Sequence, residues 1–133
     1  MANRGDAFTV TLKEAHLDWG EHRNPTNREP ISGEGYIPIP RKYAVSYSIY
    51  NSNHNPIGWG YNLFRANSAD GFLRNVTLLA QGSSCAGDIY AKQFSVQGDL
   101  QMIGAWYRSQ NAQPNNVVRV AWQSPDTIML EII

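Results

Sequence analysis

The side chains best suited to recognition chemistry are concentrated in one long connection near the start of the chain. An alternating apolar and polar strand, Phe8–Leu12, precedes it, and a second apolar segment begins at Tyr36. The segment between them has no hydrophobic periodicity, and it carries His16, Asp18, Trp19, Glu21, His22, Arg23, Asn24 and Arg28. A connection of this length in a compact domain is usually functional or disordered. Its prolines and its tryptophan favour a fixed shape, so we expect a protruding arm that presents polar side chains to a partner.

The residue types in this arm match the chemistry that reads base edges in the major groove of DNA. Arginine pairs with guanine, asparagine and glutamine pair with adenine, and a carboxylate accepts from the cytosine amino group. A second polar loop and the residues that follow it extend this set with Gln81, Ser83, Ser84, Asp88, Tyr90, Lys92 and Gln93. Contacts to backbone phosphates, which fix register without reading sequence, are assigned to Arg41, Lys42, Asn51 and Asn53.

The sequence contains no recognisable catalytic or metal-binding set. His16, His22 and His54 lack metal-ligand spacing with a partner, and no Ser/His/Asp or Cys/His arrangement is apparent. The Gly- and Ser-rich loop 81–88 lacks the GxxxxGK[ST] pattern of a phosphate-binding loop. We therefore predict a protein without enzymatic activity, cofactor or metal.

Size and composition predict one globular domain, residues 1–133. Hydrophobic residues make up 42% of the chain, which favours a packed core over disorder. Eleven basic and eleven acidic residues cancel, so overall charge does not attract a partner. Cys85 is the single cysteine, which excludes an intrachain disulfide. The sequence has no apolar stretch of membrane length, and we expect an intracellular, cytoplasmic protein that makes no membrane contact.

Periodicity and turn residues predict a mostly-β fold with about seven short strands and two short helices. After Phe8–Leu12 and an extended Tyr36–Pro40, further strands are expected at Trp59–Ala66, Phe72–Leu79, Ile89–Val96, Val117–Trp122 and Thr127–Ile132. Helices are expected at Arg41–Ser48 and at Leu100–Gln110, the second with Asp99 as its N-cap. Most connections are too short for parallel crossovers, so a mostly antiparallel open barrel fits best.

Several stretches resemble a known family. The run Leu17-Asp-Trp-Gly-Glu-His-Arg23, the triplet Arg28-Glu-Pro30 and the run Gly35-Tyr-Ile-Pro-Ile-Pro40 are similar to the "LNWG", "REP" and "YIPIP" motifs of restriction-endonuclease DNA-binding domains. These are the B3-like domains attached to phospholipase-D-type restriction nucleases, and they are related to plant B3 domains. The stretches LLAQG, which begins at Leu78, and IGAWYR, which begins at Ile103, are also similar.

The resemblance implies a seven-stranded B3-like pseudobarrel that binds double-stranded DNA. Two loops of such domains straddle the major groove, and by position they correspond here to His16–Glu34 and Gln81–Gln93. We call these arm 1 and arm 2. The implied role is sequence-specific recognition for a bacterial restriction-type system, with a separate nuclease domain or subunit as a second partner. Asp18 stands where the family commonly has asparagine, which leaves the base contact at that position open.

Other interpretations of the same residues stay open. Arg23 and Arg28 can instead form surface ion pairs with Glu21 and Glu29. Exposed aromatic residues can form a carbohydrate or small-ligand platform on a β-barrel, and the candidates for it are Trp19, Trp59, Tyr61 and Tyr90. A metal-dependent nuclease complete in this chain is a third hypothesis. The YIPIP run is interpreted as framework, and Trp106 and Tyr107 as core.

Overall fold

The computed structural model describes residues 1–17, 34–53, 56–82 and 89–133. Within these ranges seven strands form one open sheet, and three short helices accompany it. The strands are Ala7–Thr11 (β1), Ile37–Pro38 (β2), Leu63–Ser68 (β3), Val76–Gln81 (β4), Gln93–Val96 (β5), Val117–Ser124 (β6) and Thr127–Ile132 (β7). The helices are Glu14–Leu17 (α1), Arg41–Ser46 (α2) and Met102–Ser109 (α3). The predicted mostly-β open pseudobarrel is confirmed, and α1 is a helix that the sequence did not predict.

The sheet has the strand order β1-β6-β7-β3-β4-β5-β2. Its pairs are antiparallel except for β3 and β7, which run parallel with Ala66 opposite Ile128. The last two predicted strands are present as β6 and β7, and they form an antiparallel hairpin in which Val120 faces Leu130. At the far end β5 pairs with both β4 and β2, so the strands that flank arm 2 lie beside the strand that leads out of arm 1.

Alternating burial explains why these segments form strands. In β6, Val118, Val120 and Trp122 point into the core, while Arg119 between them is exposed. Such period-two alternation is the pattern of a sheet with one packed face. The Trp122 ring contacts Phe8 at 6.0 Å between ring centroids, and its indole N–H has no hydrogen-bond partner within the described residues. The Trp122 ring also contacts Tyr47 and Phe64, so it joins β6 to the aromatic part of the core.

The predicted strands Trp59–Ala66 and Phe72–Leu79 begin too early. Residues 58–62 form a tight turn instead, because Gly58 and Gly60 adopt positive φ angles of 141° and 84°. The Asn62 side chain holds this turn by accepting from the Gly58 N–H at 2.9 Å. β4 begins only at Val76, after Asn75 takes a φ of 56°. Local turn chemistry thus overrides the apolar character of Trp59 and Phe72.

The two predicted helices are present with shorter boundaries. Pro40 precedes α2, as expected for a residue without an N–H, and α2 ends before Ser48, whose φ is 53°. The Asp99 carboxylate accepts from the Gln101 backbone N–H at 3.1 Å, and α3 begins one residue later, at Met102. Asp99 therefore shapes the turn before α3 instead of capping its first turn. No helix within the described ranges has both the length and the apolar character needed to cross a membrane.

Asp70 ties the connection between β3 and β4 to α3. The buried indole N–H of Trp106 donates to Asp70 Oδ2 at 2.8 Å, and the Ser68 hydroxyl donates to Oδ1 at 2.8 Å. Phe72 adds its backbone N–H to Oδ1 at 2.9 Å. Burial acts to raise the pKa of Asp70, but these hydrogen bonds outweigh it and lower the pKa below its ordinary value. The carboxylate is therefore a structural acceptor at this junction.

We expect Asp70→Asn to destabilise the fold by about 1–2 kcal/mol, because an amide cannot accept all three of these hydrogen bonds. The exposed Glu131→Gln is the matched control and should stay within about 0.5 kcal/mol of the wild type. Since the folded-state pKa of Asp70 is lowered, its contribution is present above the ordinary carboxyl range and is lost at lower pH. Urea unfolding at pH 7 and at acid pH measures both effects. A deficit that grows as the pH falls would contradict this account.

Candidate nucleic-acid interface

The two ends of arm 1 meet at its root. The Tyr36 backbone N–H donates to the His16 carbonyl oxygen at 3.2 Å, and the two rings lie edge to face with centroids 5.2 Å apart. Residues 18–33 of the arm lie outside the described residues, and they include the predicted site residues Asp18, Trp19, Glu21, His22, Arg23, Asn24 and Arg28. The structure therefore fixes where arm 1 leaves the body and where it returns.

The backbone that follows arm 1 packs closely against α3. A Cβ built on Gly35 would fall 2.9 Å from the Gly104 Cα and 3.2 Å from the His16 carbonyl oxygen. No side chain fits in that space, so glycine is required for the close approach of the two backbones. One turn further along α3, the buried Tyr107 hydroxyl donates to the Tyr36 carbonyl oxygen at 2.8 Å. Burial, with a smaller effect from Tyr36, raises the pKa of Tyr107, which keeps the hydroxyl protonated as a donor.

His16 at this root is held in its neutral form. Its Nδ1 accepts from the Lys13 backbone N–H at 3.0 Å, so the proton of the neutral ring resides on Nε2. Partial burial, followed by the positive charge of Lys13, lowers the pKa of His16 below its ordinary value. A neutral ring at pH 7 can donate one hydrogen bond from Nε2 but adds no positive charge for a phosphate.

Arm 2 is rooted in the antiparallel pair of β4 and β5. Gln81 and Gln93 are directly opposite one another, and the Lys92 N–H donates to the Gln81 carbonyl oxygen at 2.7 Å. Both glutamines are half-buried, whereas Lys92 is exposed. The predicted site residues Ser83, Ser84 and Asp88 of this arm lie outside the described residues. A ladder hydrogen bond at the root gives arm 2 a fixed exit direction.

Asn51 packs against the root of arm 2. It is only 1% exposed, its N–H donates to the Ile89 carbonyl oxygen at 2.9 Å, and its side-chain Oδ1 accepts from the Asn53 N–H at 3.2 Å. A Cβ on Gly82 would lie 3.0 Å from the Asn51 Nδ2. Asn51 thus contacts both ends of the arm, whereas the Asn53 side chain is exposed.

Two exposed cations at the start of α2 lie over tyrosine rings, and one of these rings belongs to arm 2. The Arg41 guanidinium carbon lies 5.7 Å from the centroid of the Tyr90 ring, which stacks on Tyr50 at 5.8 Å. The Lys42 ammonium lies 4.8 Å from the Tyr43 ring centroid. Cation–ring contacts of this kind hold a long side chain in place while its charge stays in water.

A cavity of about 200 Å³ lies between the two roots. Its walls come from both arms, from β5 and from the turn before α3, and consist of Glu34, Gly35, Tyr36, Gln81, Gln93, Ser95 and Leu100. Glu34 and Ser95 are 6% and 5% exposed, and the Ser95 hydroxyl donates to the Gln81 side-chain oxygen at 3.0 Å. Sequence reasoning named Gln81 and Gln93 here and missed Glu34, Tyr36, Ser95 and Leu100. Only Ser95, a polar residue between buried Phe94 and Val96, carries a local signal of a polar wall.

The aromatic residues proposed as a ligand platform divide into two groups. Tyr61 and Tyr90 flank Tyr50, at 6.2 and 5.8 Å between ring centroids. The Trp59 ring, 45% exposed, is instead covered by the Arg65 guanidinium at 5.4 Å. Within the described ranges no three His, Cys, Asp or Glu side chains come close enough together to hold a metal ion.

The fold defines a mostly-β class with an open seven-stranded sheet, and solved structures share it. A hypothetical Arabidopsis thaliana protein is 12% identical with a TM-score of 0.53, and the match covers 100% of this chain and 95% of that one. The N-terminal domain of Helicobacter pylori LlaJI.R1 is 9% identical with a TM-score of 0.50, over 96% of this chain and 87% of that one. No family model and no curated protein matches the chain. At these identities the likeness shows the fold alone.

We expect Gly35→Ala to destabilise the protein by about 1–3 kcal/mol, since the new methyl group overpacks the contact with α3. Hydrogen exchange at the Tyr36 amide, which closes the arm 1 root, should accelerate more than exchange in β6. Gly98→Ala is the control, because Gly98 has a φ of 81° but no atom within 4 Å of the point where a Cβ would lie. It should cost stability through backbone strain without selective exchange at Tyr36. Equal protection of Tyr36 in both variants would refute the close-approach argument.

Proposed function

We propose that residues 1–133 form one B3-like domain that binds a specific sequence of double-stranded DNA through the major groove. Arm 1, residues 16–34, and arm 2, residues 81–93, would straddle the duplex. The observation that supports this most directly is that both arms are rooted at one cavity, which Glu34 of arm 1 and Gln81 of arm 2 both line. Arms that start side by side can reach into one groove, whereas arms rooted at opposite ends of the sheet cannot.

The charges around the roots favour a nucleic-acid partner. Arg41 and Lys42 follow β2, Lys92 lies near the end of arm 2, and all three are exposed. Arginine and lysine at a groove edge bind backbone phosphates and release counterions, which supplies affinity without sequence information. The chain has no net charge, so these exposed cations matter more to the proposal than the overall charge.

Base reading is assigned to the arms themselves. Arg23 and Arg28 supply the bidentate donors that guanine requires, and Asn24, Gln81 and Gln93 supply the amides that fit adenine. Asp18 and Glu21 either accept from the cytosine amino group or orient the arginines. The rest of the proposed surface consists of His16, Trp19, His22, Ser83, Ser84, Asp88 and Tyr90. Because Asn51 is buried, we assign it the positioning of arm 2 in place of a phosphate contact. Asn53 keeps the phosphate role.

The proposed biological context is a restriction-type system. The fold is shared with the N-terminal domain of LlaJI.R1, a restriction-system protein, and such a likeness is compatible with recognition without catalysis. The chain would then find the site, and a nuclease domain or subunit would cut. Nicking of supercoiled plasmid by the purified chain in magnesium would contradict this division of labour.

Selection of bound duplexes from a randomised pool should yield one preferred sequence. Against that duplex, Arg23→Ala or Arg28→Ala should cost about 1–3 kcal/mol if the arginine reads a guanine, and specificity should relax at one position. Fluorescence anisotropy measures the affinity, and selection repeated with each variant measures the specificity.

The matched control for these variants is Arg119→Ala. Arg119 is also exposed, but it lies on β6, which β7, β3 and β4 separate from β5. We expect its removal to leave affinity and preferred sequence unchanged. If both arm variants bind the preferred duplex as tightly as the wild type, arm 1 does not read DNA.

Lys92→Ala should weaken binding to all duplexes alike, because a phosphate contact carries no sequence information. The slope of log affinity against log salt concentration should fall in magnitude by about 1. Titrations of a preferred and a scrambled duplex at several salt concentrations measure both effects. A loss confined to the preferred duplex would assign Lys92 to base reading and not to phosphate binding.

A further inference from the structure

Three tyrosines from separate segments of the chain form a row beside the root of arm 2. Tyr90 belongs to arm 2, Tyr50 lies between α2 and β3, and Tyr61 lies in the turn before β3. The centroid of the Tyr50 ring lies 5.8 Å from that of Tyr90 and 6.2 Å from that of Tyr61. We call these three residues the tyrosine row. Tyr90 is already a proposed DNA contact, whereas the other two have no role in the proposed function.

Backbone hydrogen bonds hold the tyrosine row together. The residues on either side of Tyr50 bond to the residues on either side of Tyr90, with N to O distances of 2.9 and 3.0 Å. The two tyrosines thus pair as in a short antiparallel ladder. The Tyr50 N–H also donates to the Tyr61 carbonyl oxygen at 2.9 Å. Side chains that are ordered before a ligand arrives lose little conformational entropy when it binds.

The ring contacts limit the ligand chemistry that the row suits. Tyr61 and Tyr90 flank the Tyr50 ring, with interplanar angles of 33° and 20°, so its faces are already in contact with protein rings. The Arg41 guanidinium lies 5.7 Å from the centroid of the Tyr90 ring. A base that stacks on an aromatic side chain needs an open ring face. The central ring therefore offers a ligand its edge and its hydroxyl group.

The hydroxyl groups of Tyr50 and Tyr61 reach solvent without a partner in the described part of the chain. Neither hydroxyl group makes a hydrogen bond there. The Trp122 indole N–H is the one buried polar side-chain atom of the described residues that lacks a partner. The two hydroxyl groups lack a partner too, so they are not buried. A tyrosine hydroxyl group donates one hydrogen bond, and in protein–DNA interfaces it donates to phosphate oxygens.

The position of the row relative to the arms determines which part of a bound duplex it meets. A segment that enters the major groove passes between the two phosphate backbones that border the groove. The row begins on arm 2, which connects β4 to β5, and it ends just before β3. In the sheet β3 lies on one side of this pair, and β2, which follows arm 1, lies on the other. The row thus extends from arm 2 away from the strand that follows arm 1.

We propose that the hydroxyl groups of Tyr50 and Tyr61 donate hydrogen bonds to backbone phosphates of the duplex, on the side of arm 2 away from arm 1. This inference rests on the proposed function, because arm 2 brings the duplex to the row. The two contacts add affinity and fix register, and they carry no sequence information. Because both hydroxyl groups are neutral, they add nothing to the charge that releases counterions.

Tyr50→Phe and Tyr61→Phe each remove a hydroxyl group and keep the ring. Each variant should bind the preferred and a scrambled duplex about threefold to tenfold more weakly, as expected for one lost hydrogen bond. The slope of log affinity against log salt concentration should stay at the wild-type value, unlike in Lys92→Ala, because no cation is removed. The free energy of unfolding should not fall, since neither hydroxyl group bonds to the described protein.

Tyr47→Phe is the matched control. The Tyr47 hydroxyl group donates to the Ala7 carbonyl oxygen at 2.9 Å, so its removal costs a hydrogen bond within the protein. We expect this variant to unfold at lower urea concentration and to bind the preferred duplex as tightly as the wild type.

Neutral methylphosphonates, placed one at a time in the preferred duplex, identify the phosphates involved. At a phosphate that accepts from Tyr61, the replacement should weaken binding of the wild type but should not weaken binding of Tyr61→Phe further. The same coupling should appear for Tyr50→Phe at a nearby phosphate, and both positions should lie to one side of the recognised bases.

Three results would overturn the inference. If both phenylalanine variants bind as tightly as the wild type while Arg23→Ala weakens binding, the row makes no phosphate contact and the proposed function stands. If the variants bind weakly but couple to no methylphosphonate position, or if they lose as much stability as Tyr47→Phe, their hydroxyl groups act elsewhere than on phosphates. A chain that selects no duplex at all would overturn both proposals.

Discussion

The close packing of the arm 1 root against α3 is the constraint on which the site depends. The sequence between Leu17 and Glu34 has no hydrophobic periodicity, so we expect the direction of this connection to be set where it leaves and rejoins the body. Gly35 lets its backbone touch Gly104, and the buried Tyr107 hydroxyl binds the Tyr36 carbonyl oxygen just beyond. Because Tyr107 belongs to the core, this hydrogen bond ties the arm 1 root to the core.

The root of arm 2 is also fixed by a backbone hydrogen bond and by close packing. A ladder hydrogen bond between Lys92 and Gln81 closes its root, and the buried amide of Asn51 fills the space under Gly82. β2 connects the two systems, since Ile37 at the end of arm 1 pairs with Phe94 just after arm 2. Pro38 fits this edge strand, because one side of β2 has no ladder partner among the described strands. A shift of either root would therefore displace the other root through the pairing of β2 with β5.

The sequence predicted what depends on local pattern. The strand β1, the hairpin of β6 and β7 and the buried face of α3 follow from alternation or helical spacing, and Trp106 and Tyr107 lie in the core as expected. The errors depend on contacts distant in sequence or on backbone angles. Gly58 and Gly60 shortened a predicted strand through positive φ, and the parallel pairing of β3 with β7 has no local signature. Asn51 illustrates the limit for the site, because an asparagine in a polar loop has the same pattern whether it binds a ligand or supports Gly82.

The charged residues at and near the cavity differ in burial. Arg41 and Lys92 are exposed, whereas Glu34 lines the cavity and is buried. Charge interactions are strongest in regions of low dielectric and weakest in water. In the proposed function the exposed cations would contact phosphates in water, where each contact is weak and depends on salt concentration. Several such contacts would then supply the affinity together. A chain of zero net charge can bind a polyanion in this way, because the placement of its charges matters more than their count.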